Sequence, residues 1–304
     1  MTGRSERTRI LVTAEGTNRG SFSIFDWALI FGISAIWGSS FLLVDIGLEK
    51  FEPGFITWMR VCLGAAAFCA FPSSRSRIRP IDRLRIVVLS VVWVGVPFSL
   101  FPIAQQHVNS AVTGMLNGAM PIFAAAISIM LIGRWPRRII LIGLAVGIIG
   151  VVCIGFPSIR GESSRILGVS LVLVATVCYG MAVNISAPLQ HRYGSLPVMA
   201  RMLAWSCIWT APFGVVGLVG SSFGWSSFIA IAIAGIVGTA FAFACMALLV
   251  GRLGGTRASI TAYGIPVVAM LLGVVFRGDE VATVAVLGIF LVIAGAVMIS
   301  RRDL

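Results

Sequence analysis

Charge is what this chain has least of. Only 11% of its 304 residues are charged; Asp and Glu together number 11 and histidine 2. That is a thin supply of the carboxylates and imidazoles from which acid–base and metal sites are built. No HExxH, P-loop or dinucleotide fingerprint occurs, so no cofactor and no metal site is expected. The six cysteines, Cys62, Cys69, Cys153, Cys178, Cys207 and Cys245, stand singly in apolar stretches without a CxxC pair. They read as buried thiols acting as small hydrophobes rather than as a disulfide framework. A GxSxG match at Gly220–Gly224 lacks the strand–turn–helix setting that a nucleophile elbow needs. A membrane-embedded enzyme would need a buried cluster of catalytic polar groups, and none is recognisable.

Apolar residues make up 58% of the chain before Gly is counted, with a mean hydropathy of +1.01. A soluble domain reaches roughly 45–50% with Gly included, because its own exterior must face water. A bilayer removes that limit, and a spanning helix takes about 20 apolar residues. The apolar segments fall near 27–48, 54–72, 86–104, 110–132, 139–156, 166–188, 197–219, 226–250, 258–276 and 281–300. The expected fold is therefore an all-α polytopic membrane protein of ten transmembrane helices. A polar, Arg-rich tail over residues 1–25 precedes them. The segment starting at Trp27 is too long for a signal-peptide core and reads as a retained first helix.

Lys and Arg divide unevenly among the connections. Of the 23, seventeen fall in the set that contains both chain ends, and four (Lys50, Arg160, Arg165 and Arg277) fall in the other. The positive-inside rule then puts both termini in the cytoplasm. The net charge of +12 is accounted for by topology and anionic lipid headgroups, so a nucleic-acid partner is not expected.

A shift of 145 residues carries the fourth and fifth segments onto the ninth and tenth. Pro121 lands on Pro266, Gly133 on Gly278, Gly143 on Gly288 and Gly150 on Gly295. Slightly shorter shifts bring Trp37-Gly38 onto Tyr179-Gly180 and Arg60 onto Arg201. Two copies of five helices, an odd number, must enter the membrane from opposite faces. The halves, 26–157 and 166–300, are thus expected to form an inverted repeat, an architecture of alternating-access transporters.

The stretches WGSSFLLVDIGLE (37–49), MPIFAAAISIML (120–131) and IPVVAMLLGVVFRGDE (265–280) resemble the two EamA repeats of the drug/metabolite transporter superfamily. That resemblance implies a bacterial inner-membrane exporter of metabolites such as amino acids, with a central cavity between the halves; multidrug efflux is the competing function. The family often has an acidic residue after the fourth helix as well as the ninth. Here Asp279-Glu280 follows the ninth, but Arg134-Trp135 follows the fourth.

Candidate substrate-binding residues follow from chemistry at mid-span. Pro121 and Pro266 each free a carbonyl four residues earlier, on Asn117 and Ala262, which is tolerable at depth only against protein or a wet cavity. They either kink the bundle or wall a cavity, with Asn117 and Tyr263 as polar handles. Trp37, Ser39, Ser40, Tyr179, Asn184 and Thr239 lie too deep for the interfacial belt, leaving helix packing or a substrate path. Arg60 and Arg201 either snorkel or pair with Asp45 or Glu52; alternatively Arg60 meets a substrate carboxylate. GxxxG pairs at Gly114/Gly118 and Gly143/Gly147 suit close helix packing, and Gly-rich faces of this kind would also serve a homodimer. No carboxylate falls at mid-membrane by these spans. The substrate is therefore expected to be neutral, zwitterionic or anionic, moving by facilitated diffusion or exchange.

Overall fold

The computed structural model describes residues 22–132, 137–159, 163–253, 258 and 260–300. The arginine-rich tail up to residue 21, Gly133 to Trp135, Arg160, Arg257, Arg301 and Arg302 lie outside the described residues.

Every regular element among the described residues is helical. Seven helices are long and apolar enough to cross a membrane, and three apolar helices are shorter. In chain order they are α1 (Ile24–Leu48), α2 (Pro53–Phe68), α3 (Pro80–Gln105), α4 (Ser110–Leu131) and α5 (Arg138–Ile159). Then follow α6 (Ser163–Tyr193), α7 (Ser195–Gly220), α8 (Trp225–Leu253), α9 (Thr261–Arg277) and α10 (Thr283–Ser300).

The ends are set by local chemistry. The first helix starts earlier than hydropathy suggests. Ser23 and Asp26 form a reciprocal capping box, Ser23 N–H donating to Asp26 at 2.9 Å and Asp26 N–H to Ser23 Oγ at 3.2 Å. Pro53 opens α2 with its φ already helical. That helix stops at Phe68, short of the apolar run, where Ser74 Oγ donates to the Phe68 carbonyl at 3.0 Å. Asn109 caps α4 through Oδ1, 2.9 Å from the Val112 N–H. A left-handed Gly194 (φ 79°) makes the one-residue turn between α6 and α7.

Two departures from uniform helix matter. The fourth helix breaks at Gly118–Ala119 into Ser110–Asn117 and Met120–Ile132. Pro121 has no N–H to return to Asn117, and the gap is packed by the Pro266 ring, against which a Cβ on Gly118 would lie 2.9 Å from Cγ. Its counterpart α9 runs unbroken through Pro266 and relaxes later, as a π-turn over Gly273–Arg277. Two further π segments, Ser90–Gly95 in α3 and Ile236–Phe241 in α8, occupy positions 146 residues apart.

Helices pack in an order that repeats. The pairs α5–α10, α2–α7 and α4–α9 lie against each other, α1 packs on α8 and α9, and α6 packs on α3 and α4. Close approaches recur at matching positions. A Cβ on Gly38 would meet Val268 Cβ at 2.6 Å, and one on Gly180 would meet Phe123 Cβ at 3.0 Å; a 145-residue shift carries Phe123 onto Val268. A Cβ on Gly295 would lie 2.5 Å from the Gly143 carbonyl, and one on Gly150 lies 2.6 Å from the Gly288 carbonyl. The GxxxG glycines are thus engaged within the chain: Gly114 meets Ala269, Gly118 meets Pro266, and Gly147 meets Ile122.

The ends of the bundle are tied by ion pairs. At the end carrying the start of α1, Arg252 Nε of α8 meets Asp26 at 2.7 Å, and Arg192 of α6 meets Asp82 of α3 at 2.7 Å, with Tyr193 OH also donating to Asp82 at 2.7 Å. At the opposite end Arg277 of α9 binds Asp45 and, at 2.5 Å, Glu49 of α1. Asp279 there accepts from Ser110 Oγ at 2.9 Å and the Ala111 N–H at 3.0 Å.

Candidate functional site

The middle of the bundle holds a cation among rings. Arg60 is the eighth of the sixteen residues of α2. Its guanidinium lies over the Phe98 ring, 4.3 Å from the centroid. Its Nε is buried and has no hydrogen-bond partner. The phenol of Tyr179 lies within electrostatic range. Neither Asp45 nor Glu52 pairs with Arg60: Asp45 is taken by Arg277, and Glu52 lies in the α1–α2 turn, where its N–H donates to Ser221 Oγ at 2.9 Å. Desolvating a charge costs several kcal/mol in real proteins, and a desolvated cation–π contact returns about 2. Arg60 is therefore left with an incomplete shell.

Its aromatic floor is fixed by backbone chemistry. Pro102 cannot donate to the Phe98 carbonyl, and Thr57 Oγ1 of α2 takes that role at 2.8 Å. One turn on, Phe101 lies 5.6 Å from Tyr179 and 5.6 Å from Phe41, centroid to centroid. Gln105 Nε2 donates to the Phe41 carbonyl at 2.8 Å, leaving its buried Oε1 without a partner.

Trp37 ties α1 to α8. Its Nε1–H donates to the Gly238 carbonyl at 3.1 Å, a carbonyl of the π segment of α8. Its ring meets Phe243 edge-on at 5.5 Å, and Phe243 meets Trp93 at 6.0 Å. Trp37 and Tyr179 each border two apolar clusters: Trp37 the α4-centred core and the α1–α8 cluster, Tyr179 the same core and the cluster around α3 and α7.

The remaining sequence candidates divide into three sorts. Ser39 and Ser40 donate to the Ile36 carbonyl of their own helix, at 2.9 and 3.2 Å, and Thr239 to the Ala234 carbonyl at 3.0 Å. Asn184 donates to Ala124 at 2.9 Å, joining α6 to the second piece of α4, and Tyr263 OH donates to Ala296 of α10 at 3.1 Å. Asn117, at the break in α4, keeps a buried Oδ1 with no partner. Pro121 and Pro266 border that break, Pro266 buried and Pro121 partly so. Reading residue types one by one missed Phe98, Phe101, Trp93, Phe243 and Gln105. The available signal was the pair Pro97 and Pro102, which frees carbonyls around Phe98. A groove of about 400 Å³ lies between Gly95, Ser99 and Ile103 of α3 and Trp209 and Phe213 of α7. None of the sequence candidates lines it.

Comparison with known proteins gives this geometry a setting. The model of the EamA-like transporter family matches residues 27–156 and again 166–301. An uncharacterized transporter of Archaeoglobus fulgidus is 22% identical over 285 residues, covering 91% of this chain and 99% of its own. The inner membrane transporter YedA of Escherichia coli K12, also uncharacterized, is 22% identical, covering 89% of each chain. A Streptantibioticus cattleyicolor protein named "Probable terminal-alkyne amino-acid exporter" is 24% identical, covering 91% of this chain and 94% of its own. One solved crystal structure superposes over 90% of this chain and 96% of that one, with a TM-score of 0.60 at 17% identity, a likeness of fold.

Proposed function

The chain belongs to the EamA-like transporter family, and on that premise we propose that it exports small metabolites such as amino acids across a bacterial inner membrane by alternating access. In this reading ten helices span the bilayer as two inverted five-helix repeats, 26–157 and 166–300, with both termini cytoplasmic. The observation that carries it is the recurrence of contacts between halves: Gly38 on Val268 against Gly180 on Phe123, and Gly143 on Gly295 against Gly150 on Gly288. Two packings related in this way can exchange roles, which is how an inverted repeat opens first to one side and then to the other. The ion pairs give each side a closure to break: Asp26–Arg252 and Asp82–Arg192 on the cytoplasmic side, Arg277 with Asp45 and Glu49 on the outer side. The substrate path runs between them, past Trp37, Arg60, Phe98 and Tyr179.

Purified protein in proteoliposomes, loaded with unlabelled amino acids and offered labelled ones, should show saturable counterflow. Exchange no faster than in empty liposomes, across the whole amino-acid panel, removes the transport reading. Topology has its own test. With the native cysteines replaced, Ser222→Cys should react with an impermeant thiol reagent in intact cells and Arg79→Cys should not. The reverse pattern contradicts the orientation.

A further inference from the structure

We propose that Arg60 is the anchor for a substrate carboxylate, and that the transported molecule is a small monocarboxylate, amino acid or not, with an apolar or aromatic body. The assignment rests on the transport reading above and names the substrate class for that same site.

A guanidinium at the middle of a membrane helix needs a counter-charge or a way out to the headgroups. Arg60 has no counter-charge among the described residues. Its Nε is buried without a partner, and the Phe98 ring lies 4.3 Å from its guanidinium carbon. Of the seven acidic residues among the described ones, Glu52 and Glu280 are exposed and the other five are committed elsewhere. Asp26 holds Arg252, Asp82 holds Arg192 and Tyr193, Asp45 and Glu49 hold Arg277, and Asp279 holds the start of α4. Arg201, at the matching place in the second half, shows the ordinary solution. Its guanidinium donates to the Ser74 carbonyl at 2.9 Å and the Arg75 carbonyl at 3.3 Å, in the α2–α3 connection.

No described residue completes Arg60, and an anion arriving from outside the chain would. A guanidinium offers planar N–H donors in a fork that fits a carboxylate. A single cation neutralises a single negative charge, and Arg201 is turned away to the connection. This favours a monoanionic head over a phosphate dianion. The ring beneath it is Phe98, 4.3 Å from the guanidinium carbon, and one turn on Phe101 packs against Tyr179. Ring faces and edges favour an apolar body and offer no second charge. A cationic solute would meet Arg60 as a like charge.

The test compares two probes of nearly the same shape, phenylacetate and phenylacetamide, by equilibrium binding to the full chain in lipid nanodiscs at neutral pH. A charge-assisted fork should make phenylacetate bind about 10- to 100-fold more tightly than the amide. Arg60→Gln should erase the difference, Arg60→Lys should keep part of it, and Arg201→Gln should leave it intact. No preference for the carboxylate in the unaltered protein overturns the proposal, and that comparison needs no variant to fold. A preference that survives Arg60→Gln also overturns it. Counterflow separates the two levels. Carboxylate preference without exchange of any solute removes transport and leaves the anchor; saturable exchange with no such preference does the opposite.

Discussion

Arg60 and Arg201 sit at matching places on α2 and α7, two helices packed against each other, and they have opposite environments. Arg201 reaches the backbone of the α2–α3 connection and is satisfied there. Arg60, at the centre of its helix, lies on a phenylalanine with Nε unpartnered. Duplicated sequence thus does not mean duplicated chemistry. The repeat gives two helices the same residue and the packing decides which is structural. In the first half, proline and threonine pin an aromatic floor beneath the charge. In the second, a connection folds back to receive it.

That contrast can be broken from several directions. The largest effect should come from prising the two helices apart. A Cβ on Gly214 would run into Trp58, and one on Gly54 into the Phe213 carbonyl, so Gly214→Leu forces overpacking at the α2–α7 contact. Little folded protein should survive, measured by monodisperse yield in detergent; a normal yield would mean that the contact is not tight.

A smaller effect is expected for Arg201→Gln. It loses charged hydrogen bonds to three carbonyls, those of Ser74, Arg75 and Pro197, a cost of about 1.5–3 kcal/mol, read as a lower thermal midpoint. An unchanged midpoint would leave Arg201 without a structural role and blunt the comparison. Smaller again is Thr57→Val, which leaves the Phe98 carbonyl without its donor. Membrane hydrogen bonds average about 0.6 kcal/mol, so stability should barely move. Carboxylate preference should nevertheless fall, because the floor under Arg60 loosens; full preference would show that Phe98 does not position the cation.

Much of this molecule was legible beforehand. Apolar runs located apolar helices, seven of them long enough to cross a bilayer and three shorter, because a bilayer imposes length and composition together. The matches Gly38 with Gly180 and Gly150 with Gly295 reappear as equivalent close approaches. What the sequence concealed were backbone irregularities. Pro121 and Pro266 look alike in the chain, yet α4 breaks at one and α9 passes through the other, since the ring of Pro266 itself fills the gap at Gly118. The π segments of α3 and α8 leave no mark in an apolar run, because a locally widened turn changes no residue type. Phe98 was hidden for a related reason: one aromatic among many carries no label until a cation is found above it. Tyr263, read as a polar handle, and Asn184, read as helix packing or a substrate path, each bind a carbonyl on a neighbouring helix.

Whether the unsatisfied arginine is the one that works is decided by counterflow per folded molecule, with Arg60→Gln and Arg201→Gln measured side by side in proteoliposomes. The probe is the labelled amino acid that the unaltered protein exchanges fastest. Exchange should fall to the empty-liposome background in Arg60→Gln and stay near the unaltered rate in Arg201→Gln. Equal exchange in both variants, or loss confined to Arg201→Gln, would contradict the assignment of the two arginines.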